Sequence, residues 1–270
     1  MPAYLDAILD LHRARAGGER RDKGALLGAA ERTVADDPPR GFARAIRDRQ
    51  ESEAGGIGVI AEIKRRSPSR GVLVPQLDPA ATAAAYEAGG AVGLSVLTDK
   101  VFFGGSPDDL RAARAATNLP VLRKDFLVSE LDVIDARLMG ADAVLLIVAA
   151  LDDAELGAFA TLARRLGMDA LVEVHTVEEM ERAAAIGATM VGVNQRDLNS
   201  FEVDPELASS LAGKAPPGAV LVAESAISSP EDAERAARAG FDAVLVGEAL
   251  VRSPDQAAAV RAMSARSGKA

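Results

Sequence analysis

Acidic and basic side chains stand at the ends of apolar runs in this chain, where a packed core would ordinarily hold none. Five segments show the pattern: Val59-Ile60-Ala61-Glu62-Ile63-Lys64, Val121-Leu122-Arg123-Lys124-Asp125, Leu171-Val172-Glu173-Val174, Val191-Gly192-Val193-Asn194 followed by Arg196, and Val220-Leu221-Val222-Ala223-Glu224. An isolated buried charge costs several kcal/mol even after relaxation, so these groups must compensate one another or surround a charged guest. Together they suggest a catalytic pocket.

Positions two apart share one face of a strand, so Glu62 and Lys64 project together as an acid–base or ion-pair unit. At about 4 Å and an effective dielectric near 20 their attraction is about 4 kcal/mol, comparable with the cost of partly burying them. A structural salt bridge at a rim is the plainer alternative. Lys124 alternates with Arg123 and Asp125, so one set faces inward and the other outward, and periodicity does not choose between them. Glu173 lies between Val172 and Val174. A buried carboxylate beside a lysine suits general acid–base chemistry at neutral pH, whereas pairing with a base on a neighbouring strand would be merely structural.

The last two runs end in Ala223-Glu224-Ser225-Ala226 and Leu245-Val246-Gly247-Glu248. Gly247 permits close approach of backbone to a ligand. The early loop Arg65-Arg66-Ser67-Pro68-Ser69-Arg70-Gly71 gathers three guanidiniums and two hydroxyls, a composition equally suited to binding phosphate or carboxylate and to a solvated loop.

The elements that must position these groups follow from hydrophobic periodicity. From Ile57 onward, short apolar runs alternate with Ala-rich amphipathic stretches, as in parallel strands joined by helices. Strands are expected near 57–64, 92–97, 121–125, 142–148, 170–174, 190–194, 220–224 and 242–247. Helices are expected near 79–89, 106–117, 129–139, 152–166, 177–187, 204–212, 230–239 and 254–266. Ser106, Ser129 and Ser229 offer N-caps, and Gly140, Gly187 and Gly240 offer C-terminal stops. Eight such units in about 200 residues match the lower size range of an α/β (β/α)8 TIM barrel, with a doubly wound open sheet as the alternative. In such barrels the loops after strands seven and eight often hold phosphate.

Residues 1–50 do not join the repeat. Tyr4, Leu5, Ile8, Leu9 and Leu11 mark an amphipathic helix, Asp37-Pro38-Pro39-Arg40 a break, and 41–50 a second helix. The division is therefore a helical extension over 1–50, either packed on the barrel surface or capping its mouth, and a barrel over 51–270.

Composition narrows the function. The chain has 270 residues, 49% of them apolar, enough for a sizeable core. It contains no cysteine, which removes disulfides, thiolate metal sites and a cysteine nucleophile, and fits a reducing compartment. Its two histidines, His12 and His175, are too few and too far apart for a zinc site by spacing. A net charge of −9 argues against a nucleic-acid partner, though local cations and backbone amides can still hold a small anion. The N-terminus has no apolar signal region, and the longest apolar run, 143–151, is about half of what a membrane helix needs. A cytoplasmic protein without a membrane partner is expected. Of 31 basic residues only 6 are Lys, and Lys64 and Lys124 are two of them. A partly buried lysine can shift its pKa and transfer a proton, whereas arginine stays charged.

These segments resemble the indole-3-glycerol phosphate synthase family. The resemblance rests on 60–69, on Ser95-Val96-Leu97-Thr98-Asp99 with Phe103-Gly104-Gly105-Ser106, on 122–126, on Glu173-Val174-His175, on 193–198 and on Ala223-Glu224-Ser225, in the family's order. It implies a carbon–carbon lyase of tryptophan biosynthesis that closes an indole ring from 1-(2-carboxyphenylamino)-1-deoxyribulose 5-phosphate, releasing carbon dioxide and water. It implies no metal and no organic cofactor, a phosphorylated small-molecule substrate, and a monomer or weak homodimer. By motif position Lys124 resembles the general acid, which would turn it inward. Lys64 resembles the lysine that orients the substrate carboxylate, Glu173 the general base, and Glu62 a further acid–base group in the dehydration half. Asn194 and Arg196 resemble substrate-positioning residues, and Ser225 and Gly247 match the phosphate end, which Ser67, Glu224, Ala226 and Glu248 border. Phe103, Phe126 and Leu145 match the wall around the aromatic moiety. The resemblance also favours a capping role for the N-terminal segment. One departure stands out: the family usually reads Glu-Ser-Gly where this chain has Glu224-Ser225-Ala226. If that position needs positive φ, alanine costs about 1 kcal/mol and disturbs the phosphate cradle. Outside this family, a sugar-phosphate isomerase of related barrel type and a ligand-binding barrel without catalysis are the alternatives.

Overall fold

The strands are short and almost wholly buried, because in a parallel sheet covered by helices both faces are removed from water. The computed structural model describes residues 4–52, 56–68, 70–196 and 207–264, except the side chain of Ser209. Its barrel strands are β1 (Gly58–Ile63), β2 (Gly93–Leu97), β3 (Val121–Lys124), β4 (Ala143–Ile147), β5 (Asp169–Val174), β6 (Met190–Asn194), β7 (Val220–Glu224) and β8 (Ala243–Val246). Each pairs in parallel with its sequence neighbours, and β1 also pairs with β8, Ile60 opposite Leu245, so the sheet closes. Closure excludes the open-sheet alternative and establishes the TIM barrel.

Helices α4 (Pro79–Ala88), α5 (Pro107–Ala116), α6 (Glu130–Met139), α7 (Asp153–Arg165), α8 (Val177–Ala185), α9 (Leu207–Ala212), α10 (Pro230–Arg238), α11 (Glu248–Val251) and α12 (Gln256–Ser264) follow the strands. The serine caps work as their sequence suggests. Ser129 and Ser229 accept the backbone N–H of Asp132 and Asp232, whose carboxylates return the bond, and Ser106 caps Asp109. Gly140 ends α6 at φ 93, a left-handed conformation that glycine adopts without strain. The short α11 had no periodic signal of its own. Positions 204–206, 265 and 266 of the expected helices lie outside the described residues.

The N-terminal segment forms three helices, α1 (Tyr4–Gly18), α2 (Lys23–Asp36) and α3 (Phe42–Glu51). They reach both ends of the barrel. In α1, Arg13 donates to Ala150 O just beyond β4, and His12 Nε2 lies 3.2 Å from Asp99 Oδ2 just beyond β2. Next, α2 runs down the flank against α6. Finally, α3 covers the opposite end: Ala43 N donates to Asp169 Oδ2 at 2.9 Å, Gln50 Nε2 to Asp242 O at 2.7 Å, and the Phe42 ring packs on Gly93. The connection into α3 is pinned by Asp142, whose carboxylate accepts the backbone N–H of Arg40 at 2.9 Å and of Val121 at 2.7 Å. Among the described residues no helix is long and apolar enough to cross a membrane.

Candidate active site

At the C-terminal ends of the strands a cavity of about 550 Å³ opens, large enough for a small phosphorylated aromatic molecule. Fourteen of the fifteen residues that the sequence assigns to the site line it: Glu62, Lys64, Ser67, Phe103, Lys124, Phe126, Leu145, Glu173, Asn194, Arg196, Ser225, Ala226, Gly247 and Glu248. The remaining one, Glu224, lies beneath this surface.

Lys124 ends β3 and points into the barrel, where Nζ donates to Glu173 Oε2 and to Glu224 Oε2, each at 2.8 Å. Its neighbour Arg123 turns outward, donating to Thr98 Oγ1 at 3.2 Å, Asp125 Oδ2 at 2.9 Å and Asp132 O at 2.7 Å. The alternation left open by periodicity is thus decided by those partners between β2, β3 and α6. Glu62 points inward from β1, and Lys64, one residue past the strand, approaches it with Nζ 2.5 Å from Oε1.

Glu173 Oε1 accepts from Asn194 Nδ2 at 3.2 Å, while Asn194 Oδ1 accepts from Ser225 Oγ at 2.8 Å and from Arg196 N at 3.1 Å. The ends of β5, β6 and β7 are thereby tied into one chain of hydrogen bonds, which holds Glu173 in place.

Electrostatics separates the two carboxylates that share Lys124. Burial raises both carboxyl pKa values, but the charges of Lys124 and His175 bring Glu173 below the usual range, and it is ionised. For Glu224, burial together with the nearby Glu173 charge outweighs Lys124 and pushes it up to about 7. Burial pushes the Lys124 ammonium down, and the combined charges of Glu173, Glu224 and Glu62 overcome that and raise it. A cation, a carboxylate and a carboxyl that titrates near neutrality therefore meet in one low-dielectric site.

Two glycines make room for these groups. A Cβ on Gly192 would overlap Glu224 Oε1, and one on Gly247 would overlap Glu62 Oε1 and come within 3.0 Å of Lys64 Nζ. The close approach expected at Gly247 is thus, in the protein itself, with the Glu62–Lys64 pair. Ala226 has φ 54 and Ser225 φ 62, so the position where the family usually has glycine is left-handed here.

The guanidiniums of the early loop divide. Arg65 braces Asp109 and Leu77 O, which makes it structural, whereas Arg70 lines the cavity with its Nε 3.7 Å from Glu248. Glu248 also takes Arg252 at 3.2 Å, and Arg252 lines the same end of the cavity. Sequence reasoning did not assign Arg252, Leu5, Ile8, Leu97 or Ile147 to the site, although Leu5 and Ile8 were read as a helix face and Leu97 within a matching segment, and all five line the cavity. Leu97 and Ile147 were findable as the last residues of their strands, and Leu5 and Ile8 as the apolar face of α1. On the apolar side, the Phe103 and Phe126 rings lie 6.2 Å apart.

His12, Asp99 and Asp125 bring ligand atoms within 4.8 Å of one another, the one such group among the described residues. Their oxygens already serve internal donors: Asp99 accepts from Phe102 N at 2.5 Å, and Asp125 from Thr98 Oγ1 and Arg123. The group works as a joint between α1 and the barrel mouth.

The chain shares its fold with solved barrels of low sequence identity. It superposes on thiamine phosphate pyrophosphorylase from Pyrococcus furiosus with a TM-score of 0.59 at 17% identity, covering 77% of this chain and 93% of that one, which speaks to fold alone. Sequence relatives are much nearer. The indole-3-glycerol phosphate synthase of Micrococcus luteus is 52% identical over 240 residues, 89% of each chain. That of Chlorobium phaeovibrioides is 48% identical over 241 residues, 88% of this chain and 91% of its own. The model of the indole-3-glycerol phosphate synthase family matches residues 12–263. A barrel whose mouth assembles Lys124, Glu173, Glu62 and Lys64, matched in sequence over nearly its whole length, belongs to the indole-3-glycerol phosphate synthase family.

Proposed function

We propose that this protein converts 1-(2-carboxyphenylamino)-1-deoxyribulose 5-phosphate to indole-3-glycerol phosphate. The observation that carries this reading is Lys124, held as an ammonium between Glu173 and Glu224 at 2.8 Å and facing the cavity. As the ring carbon bearing the carboxylate attacks the ketose carbonyl, negative charge develops on the carbonyl oxygen. Lys124 delivers its proton there, since an alkoxide is basic enough to take it even from an ammonium stabilised by two carboxylates. The bond to the carboxylate then breaks: carbon dioxide leaves as a neutral molecule, and the bonding electrons stay with the ring, cancelling the positive charge it gained on attack and restoring its aromaticity.

Dehydration needs a proton on the departing hydroxyl and another removed from the ring-closed intermediate. Glu173, ionised and fixed by Asn194, is the base, and the Glu62–Lys64 pair supplies the acid on the opposite side of the cavity. Before decarboxylation Lys64 pairs with the substrate carboxylate. Phe103, Phe126 and Leu145, joined by Leu5 and Ile8 of α1, enclose the aromatic ring, and α1 acts as the cap over this end. The phosphate rests by Ser225, Ala226 and Gly247, with Ser67 and Glu248 at the border and Arg70 and Arg252 supplying positive charge. Arg196 helps position the substrate. The protein works in the cytoplasm, consistent with the absence of cysteine, as a monomer or weak homodimer.

Supplying the purified protein with the carboxyphenylamino-deoxyribulose phosphate tests this reading. Growth of indole fluorescence with matching release of carbon dioxide is expected. An isomerised sugar phosphate without carbon dioxide, or saturable binding without product, would overturn it.

A further inference from the structure

Two residues beyond Glu173, His175 stands behind the carboxylate and outside the lining of the cavity. Its imidazole is held between two acids. Nδ1 lies 3.1 Å from Glu179 Oε2, which also accepts the His175 backbone N–H at 2.6 Å. Nε2 lies 3.6 Å from Glu173 Oε1, an ion-pair distance, and is buried without a hydrogen-bond partner among the described residues.

A neutral imidazole has one N–H and one lone pair. With the proton on Nδ1, the Nε2 lone pair faces Glu173; with the proton on Nε2, the Nδ1 lone pair faces Glu179. Either neutral form aims a lone pair at a carboxylate oxygen where the medium screens poorly. Only the imidazolium presents an N–H to both. We propose that His175 is a positioning residue for the ring closure, an imidazolium bridging Glu179 and Glu173 that keeps Glu173 ionised and aimed at Lys124.

This role rests on the reading of Glu173 as the base. The acids bearing on the ring are Glu179 of α8, Glu173 of β5 and Glu224 of β7, with Lys124 of β3 the opposing cation beyond Glu173 and Glu178 of α8 turned to solvent. Burial pushes the imidazole pKa down, and the three acids together raise it above the ordinary 6.5. As pH rises through this raised pKa the Nε2 proton is lost and a lone pair turns on Glu173.

Nitrogen-15 NMR of the full chain with labelled histidine reads the ring directly, and since only two histidines occur, His12→Gln assigns the signals. Both His175 nitrogens should carry protons at about pH 6.5, with the midpoint falling by about one unit in Glu173→Gln and in Glu179→Gln. A neutral ring in the wild-type protein at that pH, or a midpoint unmoved by Glu173→Gln, would overturn the proposal. In turnover, His175→Gln should lower kcat about tenfold with KM within about twofold, and flatten the alkaline dependence. A pH profile parallel to wild type would mean that the ring only packs. The NMR requires no turnover, so a protein lacking ring-closing activity would overturn the proposed function without touching the imidazolium.

Discussion

Gly192 and Glu224 share one space: a Cβ on the glycine would overlap Glu224 Oε1 and lie 3.1 Å from its Cδ. The carboxylate that steadies Lys124 therefore fits only because β6 carries no side chain there. Gly192→Ala must push Glu224 aside and with it Lys124. A fall in kcat of about 100-fold is expected, the cost of misplacing a reacting group by about 1 Å, with a stability loss of about 1–3 kcal/mol. Turnover within twofold of wild type would show that Glu224 does not hold Lys124 in its working position.

Ala226 tests backbone strain at the same rim. Its φ of 54 is a left-handed conformation that costs an alanine about 1–2 kcal/mol. Ala226→Gly removes that cost and adds some unfolded-state entropy, leaving a net gain of about 1 kcal/mol. Urea unfolding at neutral pH checks it, and a variant no more stable than wild type would contradict the strain.

Stability should depend on pH through Glu224. Its folded pKa, about 7, lies above the ordinary 4.5, so the fold favours the protonated acid. That contribution is complete below about pH 4.5 and is lost as pH rises towards 7, because the unfolded chain releases its proton first. Glu173, held low, acts in the opposite sense, and its contribution is lost as pH falls below 4.5. Unfolding free energies of wild type and Glu224→Gln should therefore diverge between pH 4.5 and 7, and parallel curves would contradict the raised pKa.

At the far end of the barrel, Asp142 ties the extension to the fold. Asp142→Ala leaves the Arg40 and Val121 amides unpaired and Arg114, 3.3 Å away, without this partner, and should cost about 3 kcal/mol. Because the N-terminal face of a TIM barrel serves stability, kcat should stay within about twofold of wild type. Denaturant melts and turnover assays separate the two effects.

The barrel was legible because its strands are continuous apolar runs, and the site because charges interrupt those runs at one end. What could not be read was orientation and depth. Arg123 and Lys124 are adjacent bases on one strand, and only the outer partners Thr98, Asp125 and Asp132 make Arg123 the outward one. Glu224 looked like a substrate contact because its place beneath Lys124 depends on Gly192, a residue of another strand. The α2 helix went unnoticed since Gly24 and Gly28 blur its periodicity and the charged stretch before it hides the Asp22 cap. His175 was set aside as a metal ligand and as half of a histidine acid–base dyad and otherwise entered only through the Glu173-Val174-His175 motif, and its neighbours Glu173 and Glu179 come together only when β5 turns into α8.

The proposed function makes Lys124 the proton donor of the ring closure, and the turnover of Lys124→Ala tests it most directly. Loss of the ammonium should lower kcat by about 10²–10⁴-fold in the indole-fluorescence assay, while the variant keeps its fold and still binds substrate. Lys124→Ala turning over at the wild-type rate would contradict its role as the proton donor.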